Sequence, residues 1–288
     1  MNSVIVDPAV SVIMDTDIGY DPDDAFALVA AARSVEQLIV VTADEVRGGY
    51  RARYARALLD ALDRPDVPVH VGIDLGSESF VVHDEALTAP AQPGAFHDAV
   101  ESACRSTYGP VQWAGQGPLS NVVSVLTERP HLTEKIAVTQ QGGWLDTYHS
   151  GPTKTSHNLR VDVRAAGVGL RMLHRPRLVL SDHTGVPEIR VTTDSDLYKE
   201  LAGNDAPWAR LLFANVRNWL SKRPHFYLHD PLTLSAALGQ KFVRFAAEDI
   251  AVSGDAFLRR EPGARRMLVS TGVDYDAFNA WQRTVIGL

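Results

Sequence analysis

Cysteine is nearly missing from this chain: Cys104 is the only one in 288 residues. A lone thiol excludes an intramolecular disulfide framework and any site built on several cysteines, and Cys104 reads as a small buried hydrophobe. A basic excess is missing too. The formal net charge is −7, whereas proteins that grip a nucleic-acid backbone usually carry surplus Lys and Arg, so no nucleic-acid partner is expected. No stretch approaches the roughly 20 apolar residues of a membrane span. The first residues, Met-Asn-Ser-Val-Ile-Val-Asp-Pro, hold neither a basic leader nor a long apolar core. A soluble, cytoplasmic protein without a membrane partner is the expectation. Internal repeats, low-complexity tracts and linker-like stretches are lacking as well. One domain over residues 1–288 follows, large enough to bury a substantial core.

What is present in bulk is ordinary for a globular protein, with 45% hydrophobic and 22% charged residues. The order of local patterns says more. Short apolar runs at 10–14, 38–42, 67–71, 111–114, 136–139 and 178–180 read as strands. Helical periodicity covers 23–33, 50–62, 119–127 and 161–173, and the second half of 189–221. Continuous apolar strands alternating with helices predict an α/β fold: an open, mostly parallel central sheet flanked by helices. Ligands of such sheets bind at the carboxyl ends of the strands. Residues 81–94 and 142–157 read as loops, and long loops in a compact domain are often functional. Residues 248–288 suggest a hairpin-like addition followed by a helix over Tyr275–Ile286.

One segment stands out chemically. Asp15, Asp17, Asp21, Asp23 and Asp24 crowd into ten residues between the first strand and the first helix. Capping a helix needs one such acid, not five. Mutual repulsion on that scale calls for a hard, oxygen-preferring cation such as Ca²⁺ or Mg²⁺. An EF-hand loop starting at Asp15 fails, because its twelfth position is Phe26 and not an acid. An Asp-x-Asp phosphatase shares the first two acids but usually continues with a pair such as Gly-Thr, where this chain has Ile18-Gly19. A metal-dependent hydrolase of the nucleoside hydrolase type is the third reading. Arg47, Arg51 and Arg53, around the start of the second helix, read as a solvated basic face.

Motifs spread along the chain bear on that third reading. Asp15-x-Asp17 followed by Asp23-Asp24-Ala25 resembles the amino-terminal fingerprint of the inosine–uridine-preferring nucleoside hydrolase family. Asp66-Val-Pro-Val-His-Val-Gly72, Gly117-Pro-Leu-Ser-Asn-Val122, Gly142-Gly143 with His157-Asn158, and Phe226-Tyr-Leu-His-Asp-Pro-Leu232 resemble further family segments, in family order. The resemblance implies one Ca²⁺ at the floor of a cleft, held by Asp17, Asp24, Asp230 and the main-chain carbonyl of Ser120. It also implies that Asp17 is the general base that deprotonates the attacking water, acidified by the metal. Attack at the anomeric carbon passes through an oxocarbenium-like transition state. Asp23 and Asn158 would bond ribose hydroxyls, Asp15 would orient its neighbours from behind, and His229 would help protonate the departing base. A lone histidine is about as often a structural hydrogen-bonding residue. Trp144, Tyr148, Trp219 and Tyr227 offer planar surfaces for a base, although such aromatics are more often core. The substrate implied is a small nucleoside, and homodimers or homotetramers are common in the family.

Three departures qualify the match. Asp17 and Asp24 lie seven positions apart where many members have five, because Tyr20-Asp21-Pro22 holds extra residues. The loop after the second strand reads Thr42-Ala-Asp-Glu-Val46 in place of Gly-Asn, so Asp44 or Glu45 would take the sugar-contacting role. A carboxylate only accepts hydrogen bonds, whereas an amide also donates. Ser156 stands where glutamate is usual, two residues before Asn158. The expected activity is Ca²⁺-dependent hydrolysis of an N-glycosidic bond, with a modified or unusual nucleoside as substrate. A non-catalytic nucleoside or sugar binder and an Asp-x-Asp phosphatase remain open alternatives.

Overall fold

The computed structural model describes residues 10–82, 87, 96–147 and 153–288. Tyr148, Gly151, Pro152 and most of the loop at 81–94 lie outside the described residues. Strand β1 (Ser11–Thr16) is followed by α1 (Asp23–Ser34), β2 (Gln37–Thr42), α2 (Tyr50–Asp60) and β3 (Val69–Val71). Helix α3 (Phe96–Ser106) leads to β4 (Val111–Gly115), α4 (Ser120–Glu128), β5 (Ile136–Gln141), α5 (His157–Val161) and α6 (Val163–Met172). Then come β6 (Arg177–Val179), the one-turn α7 (Ser181–Thr184), β7 (Arg190–Val191), α8 (Asp196–Ala202), α9 (Pro207–Leu220), β8 (Phe226–Tyr227) and α10 (His229–Ala237). β9 (Val243–Val252), β10 (Leu258–Arg260), β11 (Arg265–Val273) and α11 (Tyr275–Ile286) complete the order.

Among the described residues, nine strands form one sheet in the order β10-β9-β11-β6-β5-β4-β1-β2-β3, parallel except where β9 meets β10 and β11. β7 and β8 pair separately. Apolar side chains cover both faces. Met14, Phe26, Leu28, Tyr54 and Phe226 belong to one buried cluster, and Ile13, Trp113, Leu119 and Leu170 to the other. Val12, Ile13 and Met14 are all fully buried, as a central strand of a doubly covered sheet requires. Cys104 is buried on α3. No helix among the described residues is long and apolar enough to cross a membrane.

Local chemistry explains where the elements depart from the expected limits. The helix expected over 161–173 divides, because Asp162 leaves helical geometry (φ −131°, ψ 83°) and accepts from Ala165 N at 2.8 Å to cap α6. The strand expected over 67–71 starts only at Val69, since Pro68 has no N–H to add to the ladder. The expected hairpin-like addition is integral to the main sheet: β11 runs parallel to β6, and β9 begins at Val243.

Strand order also locates the site. From β1 the chain moves outward to β2 and β3, and then returns to lay β4 on the other side of β1. Such a reversal opens a crevice at the carboxyl ends of the two central strands. Asp15–Asp17 leave β1 there, and Gln116–Ser120 leave β4 beside them.

Candidate active site

Two helix starts converge on this crevice. α1 begins at Asp23, and α10 has Asp230 in its first turn. Helix N-termini carry partial positive charge and unpaired N–H groups, which favour carboxylates. The Asp230 amide donates to Asp23 Oδ2 at 3.2 Å, and Thr16 Oγ1 donates to Asp24 Oδ1. One carboxylate oxygen from each of Asp23, Asp24 and Asp230 lies within 4.8 Å of the other two, and all three residues are buried. Full charges at such separations repel by roughly 3–4 kcal/mol per pair at an effective dielectric near 20. Burial, compounded by the neighbouring acids, pushes all three carboxyls well above the usual carboxylate range. Bound protons or a cation would relieve that repulsion. Three hard oxygen donors in a buried pocket suit a divalent, oxygen-preferring metal ion.

Asp17 borders this group and is only partly buried. Its charge, after desolvation, is the largest electrostatic influence raising Asp24. His157 Nε2 lies 3.9 Å from Asp17 Oδ2. Asp15 sits behind, with no solvent exposure, and Asn121 Nδ2 donates to its Oδ1 at 2.8 Å. Burial pushes Asp15 up to about 8 against the pull of that hydrogen bond. Asp21 also lines the cleft, and desolvation lifts it to about 8. The segment carrying Asp21 is held to α9 at Tyr20. Asn215 Nδ2 donates to Tyr20 O at 3.2 Å, and the Tyr20 ring meets Trp219 edge-on with centroids 5.0 Å apart. Gly19, at φ +104°, lies against the Phe80 ring with no room for a Cβ.

A cleft of about 460 Å³ opens above the acids. Its lining includes Asp17, Asp23, Asp24 and Asp230 below, Gln116, Gln141, Ser156 and Asn158 on one wall, and Tyr20, Trp144, Trp219, Tyr227 and His229 around the mouth. No Lys or Arg lines it among the described residues. His229 Nδ1 is 2.6 Å from Thr184 Oγ1, which orients the imidazole. His225 just before β8, Tyr227 in it and His229 at the start of α10 lie ring to ring, with successive centroids 5.0 and 5.4 Å apart. Asn158 Nδ2 donates to Gln116 O (2.6 Å) and Gln141 Oε1 (3.0 Å), so both amide protons are used and only Oδ1 remains to accept.

Several expected site residues are engaged differently. Glu45 does not line the cleft: Oε1 accepts from Val46 N (2.9 Å) and Arg51 N (2.8 Å), and Oε2 from Ala52 N (3.2 Å) and Thr42 Oγ1. Those bonds cap α2 and leave nothing for a sugar. Asp44 likewise turns inward, 3.7 Å from Arg51 Nη2. Ser156 lines the cleft but accepts from Gly143 N at 2.6 Å. Ser120 Oγ donates to Asp162 Oδ2 at 2.7 Å, and Ser120, the first residue of α4, is not among the residues lining the cleft. Asp23 shares the carboxylate group with Asp24 and Asp230, whereas Asp17 stands beside that trio. Arg51 corrects the solvated-face reading: it is 1% exposed. Arg47 is exposed and Arg53 half-buried. Sequence reasoning left Asp21, His157 and His225 without roles in the cleft; for His225 its place directly before the Phe226–Leu232 motif was the available signal.

Fold and site together define an N-terminal acid cluster at the switch point of a parallel sheet, completed by an acid from far downstream. The chain belongs to the inosine-uridine preferring nucleoside hydrolase family, whose sequence profile matches residues 12–280. It is 30% identical over 203 residues to the pyrimidine-specific ribonucleoside hydrolase RihA of Salmonella paratyphi A, covering 60% of this chain and 64% of the relative. The same enzyme of Salmonella schwarzengrund matches to the same extent. A plant nucleoside hydrolase superposes with a TM-score of 0.81 at 20% identity, covering 97% of this chain and 99% of that one. A purine-preferring ribonucleoside hydrolase from Gardnerella vaginalis gives 0.77 at 19% identity, covering 96% and 98%. At such identities the solved structures establish the fold alone.

Proposed function

We propose that this chain hydrolyses the N-glycosidic bond of a nucleoside to give a free base and ribose, and that residues 1–288 act as one domain. The observation carrying the reading is the carboxylate group Asp23, Asp24 and Asp230, with Asp17 beside it, in the cleft of a member of this family. Ca²⁺ is the cation we favour, because it tolerates several oxygen donors at flexible geometry. Asp24, Asp230 and the Ser120 carbonyl, with Asp17 or Asp23, would hold it. When bound, it supplies the charge that acidifies and fixes a water.

Asp17 is placed in this scheme as the general base. Its carboxylate takes the proton of the attacking water as the C–N bond to the base breaks, with His157 Nε2 3.9 Å away. The sugar carbon passes through oxocarbenium character, which a floor of carboxylates stabilises electrostatically. Asp23 and Asn158 Oδ1 accept from ribose hydroxyls. At the other end His229, held by Thr184, delivers a proton to the departing base. Tyr20, Trp144, Trp219 and Tyr227 present flat apolar surface for that base and exclude water. With Asp44 and Glu45 turned inward and Ser156 bonded to Gly143, the sugar grip is reduced to few acceptors, which favours a substrate other than an ordinary ribonucleoside.

Metal-free protein assayed against purine, pyrimidine and modified nucleosides, with and without added Ca²⁺, tests the reading. Reducing sugar released only after Ca²⁺ addition is the expected result. Nucleoside binding without any released sugar over long incubation would instead identify a binding protein.

A further inference from the structure

A buried arginine needs a reason. Arg51 lies in the first turn of α2, next to the cleft floor but outside its lining. Its Nη1 donates to the main-chain carbonyls of Asp17 and of Ile18 (2.9 Å), Nε to Asp44 O (2.7 Å), and Nη2 to Ser79 O (3.1 Å). One guanidinium therefore ties together the chain leaving β1, the chain leaving β2 and the stretch beyond β3. These are the carboxyl ends of three adjacent parallel strands. A planar fork with five fixed N–H groups can serve carbonyls in several directions, whereas an ammonium cannot span them.

Two acids seat this fork. Asp44 adopts φ 47°, a backbone conformation unusual for a residue with a Cβ, and brings both its carbonyl and its carboxylate to Arg51. Glu45 accepts from the Arg51 amide and fixes where α2 starts. Asp44 and Glu45 occupy the place where the resemblance expects a sugar-contacting residue. Their bonds go to the arginine and its helix instead.

We propose that Arg51, seated by Asp44 and Glu45, is a positioning residue that fixes the main chain of Asp17 and thereby aims its carboxylate at the Asp23–Asp24–Asp230 group. The proposal rests on the reading of Asp17 as the base. Arg51 touches no substrate. Its effect reaches the reaction through the two carbonyls of Asp17 and Ile18 and through its charge, which favours ionised Asp24 and which lysine would keep, so it should govern turnover more than substrate binding.

Arg51→Lys and Asp44→Asn, with Arg53→Ala on the same helix as control, test this. In Arg51→Lys, amide exchange at Ile18–Tyr20 accelerates about tenfold or more, with far-UV dichroism unchanged. Its kcat falls about tenfold or more, while KM for the nucleoside moves less than about threefold. Asp44→Asn keeps the carbonyl bonds and shows the same pattern at about threefold. Arg53→Ala matches the wild type in both. Native exchange and kcat in Arg51→Lys overturn the proposal, as does a loss confined to KM. If Arg51→Lys does not fold, Asp44→Asn decides, and wild-type kcat there overturns the proposal. Should the wild type release no sugar from any nucleoside, the proposed function fails, and unchanged exchange at Ile18–Tyr20 would separately sink the clamp.

Discussion

The floor and the mouth of the cleft are built in opposite ways. The floor gathers its acids from two helix starts, α1 and α10, and a strand end, β1, where backbone geometry is fixed by the sheet and by hydrogen bonds. The mouth gathers aromatics and histidines from the extra segment at Tyr20, from the chain after β5, and from α9 and β8. The floor stores electrostatic tension in buried carboxyls. The mouth offers apolar surface and ionisable imidazoles. On the proposed function, the difference makes bond cleavage and base choice separable, since few residues serve both ends.

Substitution can break that separation. The largest effect is expected at the floor: Asp17→Ala should lower kcat about 10³-fold with native dichroism, because a positioned general base contributes in that range. Turnover within tenfold of wild type would remove Asp17 as the base. Next comes His229→Ala, expected to cost about 10²-fold with a poor leaving group and little with an activated one such as a nitrophenyl riboside. Equal losses on both substrates would deny it a role in protonating the base. At the mouth, Trp219→Ala should raise KM about tenfold and alter purine against pyrimidine preference, leaving kcat within about threefold. A kcat effect without a KM effect would join the two ends after all.

Stability gives the smallest and most general contrast. Asp23, Asp24 and Asp230 are raised well above their unfolded value near 3.8, and Asp15 and Asp21 reach about 8. The folded metal-free protein therefore binds more protons than the unfolded chain. Its stability is greatest below about pH 4 as far as these groups decide, and falls as pH rises toward about 8. A bound cation favours the charged forms and reverses the sign. Melting curves in chelator and in Ca²⁺ should diverge by several degrees at pH 8 and converge near pH 5. A gap that widens toward acid would contradict the assignment of the metal to these acids.

Sequence legibility follows the same division. Asp15 to Asp24 announced the floor because repulsion among acids is a local, countable property, and the apolar strands announced the parallel sheet around it. Asp230 entered through its motif. Local pattern did not reveal that Glu45 caps α2, that Asp44 turns toward Arg51, or that Arg51 is buried; those depend on which carbonyls three separate strand ends bring together. An arginine amid other arginines looks solvated until the fold supplies its acceptors. His157 next to Asp17 was equally hidden, since 140 positions of chain separate them and only the β1–β4 crevice brings them near.

The loop that carries Trp144 has a consequence of another kind. Its amides at Leu145 (2.9 Å) and Asp146 (2.8 Å), and that of Thr147, all donate to the Asp182 carboxylate. The Asp146 carboxylate pairs with Arg260 on β10, and Gly143 packs against Leu258 of the same strand. The cleft wall is therefore finished only by a strand that leaves the ribosome more than a hundred residues after it. Until β10 emerges, a nascent chain lacks the partner that pairs with Asp146 in the Trp144 loop. That wall of the cleft is in this sense a late event of synthesis, and a clip within the β9–β10 hairpin should loosen the Trp144 loop from a distance.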